Sequence, residues 1–227
     1  MRLLKQHIDF PSLLRRFSPF KSLSEPAIKD LEQRFVYRRY AAGAVISTSG
    51  KENDELFLIR SGKVHIYLKN GDGEDLLLHS LSWGDVFGQS IGGFSRDLPT
   101  EVKCIEETGM LVLKSDMLSE HIRKYPETSL VLVSIMSARL QENYETLACL
   151  SLGDVSSRLL RLLKRLGEKD GYREGDFIVI PNRFTQQEMA QMIGARRETV
   201  SRLLSSFVES NIISRKNRNL VLRVDSF

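Results

Sequence analysis

The segment Phe184-Thr185-Gln186-Gln187-Glu188-Met189-Ala190-Gln191-Met192-Ile193-Gly194-Ala195-Arg196-Arg197-Glu198-Thr199-Val200-Ser201-Arg202-Leu203-Leu204 constrains this chain more than any other. It reads as two short helices broken at a glycine. Thr185 and Glu188 have the Thr-x-x-Glu spacing of a capping box: the hydroxyl accepts from the Glu188 amide and the carboxylate accepts from the Thr185 amide. Met189, Ala190 and Ile193 follow as an apolar stripe at helical spacing. Gly194 stands where a left-handed residue ends a helix cheaply. The second helix buries Val200, Leu203, Leu204 and Phe207. It leaves Arg197 with Ser201, and Glu198 with Arg202, four residues apart on the opposite side. Polar, mostly cationic side chains on its first turns are what a helix needs to reach base edges in a DNA major groove.

An ordinary surface helix with charge pairs four apart is the simpler reading of that segment alone. Its surroundings weigh against it. Residues 211–224 read as strand, basic turn, strand, with Arg215, Lys216 and Arg218 in the turn, and Asp176 to Pro181 reads as another short strand. A helix-turn-helix beside a hairpin wing is a DNA-binding layout. Charge is distributed accordingly. Residues 154–227 carry 14 Lys and Arg against 9 Asp and Glu, whereas residues 1–153 carry 19 against 20. The positive excess thus sits with the helix-turn-helix, where phosphate binding requires it.

At 227 residues the chain holds one large domain or two small ones. Two cysteines, Cys104 and Cys149, are too few for a disulfide framework or for an iron–sulfur cluster held by four thiolates, and they fit a reducing cytoplasm. No apolar run approaches the ~20 residues of a membrane span, and the first residues lack the apolar core of a signal peptide. No zinc-ligand spacing, P-loop or nucleophile–base set stands out, so neither a metal site nor an enzyme is expected.

Residues 36–114 read as short strands split by turn signals. The strands are Phe35–Tyr40, Ala44–Ser47, Leu56–Arg60, Val64–Leu68, Asp75–Leu81, Thr100–Ile105 and Met110–Leu113. Glycines at the corners predict a sandwich or barrel. Residues 11–34 read as helical before it. The expected class is α+β, with the β-rich half N-terminal and the helix-turn-helix with its hairpin wing C-terminal.

Tyr40-Ala41-Ala42-Gly43-Ala44-Val45-Ile46, Leu56-Phe57-Leu58-Ile59-Arg60-Ser61-Gly62-Lys63-Val64, Trp83-Gly84-Asp85-Val86-Phe87-Gly88 and the helix-turn-helix occur in one order along nearly the whole chain. In this it resembles the CRP/FNR family of transcription regulators. The resemblance implies a jelly-roll-like barrel of the cyclic-nucleotide-binding type over residues 1–125, a long dimerisation helix and hinge over 126–153, and a winged helix-turn-helix over 154–227. It also implies a homodimer on pseudo-palindromic double-stranded DNA and contact with RNA polymerase. Asn70–Asp75 and Lys169–Arg173 read as surface loops, equally candidates for that contact and solvated turns.

The same resemblance places an effector pocket at Gly88, Gln89, Ser90, Arg96, Pro99, Thr100, Asn143 and Tyr144. Members that bind cyclic AMP carry a Glu for the ribose, and an Arg-Ser pair for the cyclic phosphate. Here Gln89 stands in place of the Glu and Pro99 in place of the Arg; Thr100 keeps a hydroxyl. Losing the guanidinium loses the bidentate phosphate contact. Asn143 and Tyr144 replace the hydroxyl residues that face adenine. The glycine-preceded insert Ser95-Arg96-Asp97 marks a reshaped pocket. Cyclic AMP in the usual mode is therefore not expected, and the effector stays open. A haem- or redox-sensing member is a minority alternative, as is a cyclic-nucleotide-binding regulatory module without a DNA role: of His7, His65, His79 and His121, none lies in the pocket segment after Gly84-Asp85. His65 and His79 are read as packing or surface residues, Cys104 as core.

Pro126-Glu127 opens a helical pattern running to about Leu152. Val133, Leu140 and Leu147 share one heptad position, and Met136, Asn143 and Leu150 share another. This is the seam of a two-stranded coil with one polar step at Asn143; a helix packed on its own barrel is the alternative. Gly153-Asp154 is the hinge candidate, with Asp154 able to cap the next helix. Base reading is expected from Arg197, Glu198, Ser201 and Arg202, since Arg pairs bidentately with guanine and Glu accepts from cytosine N4. Phosphate contacts are expected from Thr185, Gln186, Arg196, Arg215, Lys216 and Arg218. TGTGA-like half-sites are the first expectation and TTGAT-like ones the second.

Overall fold

The computed structural model describes residues 14–46, 54–69, 75–88, 100–151, 153–181, 184–217 and 219–223, apart from the Cys149 side chain. Two compact units emerge: residues 1–69 with 78–143, and residues 70–77 with 144–227.

Among the described residues, the first unit is built on eight strands: β1 (Val36–Tyr40), β2 (Val45–Ile46), β3 (Glu55–Ser61), β4 (Val64–Leu68), β5 (Leu76–Leu81), β6 (Val86–Gly88), β7 (Thr100–Cys104) and β8 (Thr108–Lys114). They form two four-stranded sheets, ordered β1-β8-β3-β6 and β2-β7-β4-β5. Strand β3 explains why both sheet faces are apolar. Its alternate side chains serve two cores: Phe57 and Ile59 join Met110, Val112, Ile66 and Val102 between the sheets, and Leu56 and Leu58 join Leu111 and Leu113 under the helices. A strand buried on both faces reads as an unbroken apolar run, and Leu56–Ile59 is one.

The helical expectation for 11–34 needs correction within the described residues. Leu14–Arg16 and Ser18–Ser22 are separate 3-10 turns, and only Glu25–Arg34 (α1) is an α-helix. Pro19 and Pro26 each fall in the first turn of their element, where a missing amide costs nothing, and so divide the stretch. Strand β6 and helix α2 (Ser115–Lys124) were not anticipated. Helix α2 buries only Leu118 and His121, too few positions for a periodic signal. His121 occupies a core position because both ring nitrogens are satisfied, Nδ1 by Asp30 Oδ2 at 2.8 Å and Nε2 by Thr128 Oγ1 at 3.0 Å. Asp30 also accepts from Arg34 at 2.7 Å and Lys124 at 3.1 Å. These partners, Arg34 above all, hold its carboxyl far below the usual carboxylate range. The network ties α1 and α2 to the first residue of the long helix α3 (Thr128–Ser151).

Helix α3 contributes its residues up to Asn143 to the first unit and those from Tyr144 to the second. In the second unit it is followed by Gly153 at φ +90°, and then by helix α4 (Val155–Asp170). Asp154 caps α4 as expected, accepting from the Ser157 amide at 2.8 Å. From α4, Arg161 donates to the Ala148 carbonyl and Arg165 to Thr146 Oγ1. Strands β9 (Tyr172–Glu174), β10 (Phe177–Ile180), β11 (Ile213–Lys216) and β12 (Asn219–Arg223) form a sheet ordered β11-β12-β10-β9. The wing hairpin is therefore half of a four-stranded sheet. Lys169–Arg173 is not a loop: it ends α4 and begins β9. Helices α5 (Gln186–Met192) and α6 (Arg197–Glu209) complete this unit. Among the described residues, no helix is long and apolar enough to cross a membrane.

Candidate DNA-reading surface and effector barrel

The capping box forms as expected. The Glu188 amide donates to Thr185 Oγ1 at 3.2 Å, and the Thr185 amide donates to Glu188 Oε2 at 2.6 Å. Gly194 sits at φ +59°, which lets the Ala195 amide return to the Ala190 carbonyl at 2.9 Å. Helix α5 ends there and α6 begins three residues later. Val200, Leu204 and Phe207 anchor α6 in the core, with Leu203 half-buried beside them. Arg197, Glu198 and Arg202 are exposed and Ser201 is half-buried, so the four candidate base readers share the outward side. Arg196, at the helix start, is exposed as well, as are Thr185, Arg215 and Lys216; Gln186 is half-buried. Lys216 is engaged by Glu174 of β9. Arg218 lies outside the described residues.

Half of the pocket expectations fall where nothing is described: Gln89, Ser90, Arg96 and Pro99 lie outside, with the insert Ser95-Arg96-Asp97. Gly88 and Thr100 flank that segment. Thr100 opens β7 opposite Leu68. Gly88 ends β6 opposite Leu56, at φ +145°, and a Cβ there would stand 2.2 Å from the Glu55 carbonyl oxygen. Only glycine permits this approach. Gly88→Ala is expected to destabilise the barrel by roughly 2–4 kcal/mol in urea unfolding. A loss below about 0.5 kcal/mol would mean that β6 can move aside.

Sequence reasoning missed Arg139. Its side chain is 17% exposed and reaches from α3 to both sheets. NH1 lies 3.2 Å from His79 Nδ1 on β5 and donates to Glu142 at 3.1 Å, while NH2 donates to the Val86 carbonyl on β6 at 3.2 Å. β5 and β6 are edge strands of different sheets, so one guanidinium closes the seam between them. β6 leads straight into residues 89–99. The available signal was a first charge after the uncharged run Thr128–Ala138. His79 is thus held by α3, His65 is buried with Nδ1 3.0 Å from the Tyr67 hydroxyl, and Cys104 is buried.

Within α3, Leu130, Val133, Met136, Leu140, Tyr144 and Leu147 are large apolar side chains, each between 48% and 73% exposed in the single chain. Asn143 is exposed among them and Leu150 is half-buried.

Residues 37–125 match the cyclic nucleotide-binding domain, and residues 157–226 match the Crp-like helix-turn-helix domain. Three relatives align over most of both chains. The CRP-like cAMP-activated global transcriptional regulator of Mycobacterium tuberculosis is 28% identical over 210 residues, which is 92% of this chain and 94% of that one. The cAMP-activated global transcriptional regulator Vfr of Pseudomonas aeruginosa is 27% identical, covering 87% and 95%. The cAMP-activated global transcriptional regulator CRP of Salmonella typhimurium is 26% identical, covering 89% and 96%. Among solved structures, a CooA mutant from Carboxydothermus hydrogenoformans superposes with a TM-score of 0.74 at 26% identity, covering 86% of each chain. Among the described residues an eight-stranded double-sheet barrel, a long helix and a capped helix-turn-helix follow one another, and by this architecture and those matches the chain belongs to the CRP/FNR family of transcription regulators.

Proposed function

We propose that this regulator works as a homodimer that reads a pseudo-palindromic DNA site. The outward side of α6 carries the proposal: a row of Arg197, Glu198, Ser201 and Arg202 over a buried Val200–Leu204–Phe207 anchor. Arg197 and Arg202 read guanines and Glu198 accepts from a cytosine amino group. Thr185, Gln186, Arg196, Arg215, Lys216 and Arg218 contact phosphates. The exposed apolar line on α3 is the dimer seam, with Asn143 as its polar step. The working division is a sensor barrel over residues 1–125, a dimer helix with hinge over 126–153 and a reading domain over 154–227. RNA polymerase is the further partner and the cytoplasm the compartment, with no catalytic step.

The barrel senses an effector that differs from cyclic AMP or binds differently from it. Three relatives are named as cAMP-activated, but Gln89 and Pro99 remove the carboxylate and the guanidinium such a ligand would meet. Arg139 couples the strand leading into the pocket segment to α3, so effector binding shifts the population of helix positions that present α6 to successive major grooves.

Gel shifts of the purified protein on TGTGA and TTGAT palindromes and a shuffled duplex test this reading. Preference for TGTGA is expected; equal binding to all three at moderate ionic strength would end it. Mass spectrometry and an absorption spectrum of the same sample report a retained effector.

A further inference from the structure

Strands β9 and β11 are opposite edges of the sheet in the second unit. The registers pair Glu174 with Phe177, Val179 with Val221, and Asn219 with Lys216. Side chains alternate along each strand, so Glu174, Phe177, Val179, Val221 and Lys216 project from one face. On that face Lys216 Nζ donates to Glu174 Oε1, spanning β12 and β10. The lysine is therefore tied to the opposite edge strand of its own sheet. The ion pair is solvent-exposed at both ends and bonding to the carboxylate raises the Lys216 pKa.

We infer that Glu174 is a positioning residue that withholds Lys216 from DNA phosphate, so that duplex and carboxylate compete for one ammonium. The inference rests on Lys216 being a phosphate contact. A carboxylate and a phosphate on the same ammonium repel one another, and the pair has to open when DNA arrives. Opening an exposed pair changes an equilibrium by about two- to five-fold. The effect carries no sequence information, because neither group is a base reader. Glu174 therefore lowers affinity for every duplex alike, which raises the share of binding that depends on base contacts.

The test is a fluorescence anisotropy titration of the full chain on a shuffled duplex at low ionic strength, where base recognition does not enter. Glu174→Gln is expected to tighten binding about two- to five-fold. Asp176→Asn, which removes a neighbouring charge outside the pair, is expected to change it far less. Lys216→Ala is expected to weaken binding and to reduce the salt slope by about one. In the Lys216→Ala background, Glu174→Gln is expected to have no further effect. Tightening by Asp176→Asn equal to that of Glu174→Gln, or tightening by Glu174→Gln that persists without Lys216, would show general charge repulsion and overturn the inference. No loss with Lys216→Ala would remove the phosphate contact itself. A loss with Lys216→Ala beside a neutral or weakened Glu174→Gln would keep that contact and discard the withholding. Thermal melting of each variant separates these outcomes from unfolding.

Discussion

Leu140→Asp is expected to dissociate the protein into single chains at micromolar concentration and to weaken binding to a palindromic duplex by about 100-fold or more. Leu140 lies in the middle of the exposed apolar line of α3. In a paired seam the substitution would bury two unpaired carboxylates against each other, which costs several kcal/mol. Binding to two half-sites at once would be lost with the dimer, leaving only the affinity of one helix-turn-helix. Because Leu140 is half exposed in a single chain, the barrel itself should melt at nearly the same temperature. Sedimentation velocity and anisotropy on the same samples check both statements. A variant that stays dimeric and keeps its affinity would place the interface elsewhere.

Arg202→Ala is expected to cost roughly 1–3 kcal/mol on the specific site and to relax base preference at one position of each half-site. The side chain is exposed on α6, two residues before the buried Leu204, so its loss leaves the core intact. A guanidinium donating to guanine O6 and N7 is geometrically matched to that base and mismatched to the others. Titrations against duplexes varied at single positions therefore separate two roles. Loss confined to one position marks a base reader. A uniform loss on all duplexes would mark Arg202 as a phosphate contact.

How far these elements were legible depends on how local their causes are. The helix-turn-helix was readable residue by residue. The Thr185–Glu188 box, the left-handed Gly194 and the buried side of α6 each depend on neighbours within four residues. The barrel strands were readable from their turns, although β6, only three residues long, was hidden in the Trp83–Gly88 motif. Helix α2 escaped because a histidine fills one of its core positions, and that is tolerable only once Asp30 and Thr128 are in place. Strand β9 escaped because all three of its side chains are exposed, leaving no alternation to read. Arg139 and Glu174 escaped because the partners that define them, His79 and Val86 for the first and Lys216 for the second, lie 42 to 60 residues away in sequence.

The order of residues along the chain was by itself enough for most barrel strands, the helix-turn-helix, the caps at Asp154 and Thr185, the concentration of positive charge in the last third and the family. Each of these is a short-range pattern that survives without knowledge of what packs where. Tertiary structure alone decided that Arg139 spans two sheet edges, that His121 is a core residue and that Lys216 is held by a carboxylate on the far edge of its own sheet. Those facts depend on which distant backbones come within hydrogen-bonding reach, and a charge or an imidazole has no fixed role until its partner is brought there.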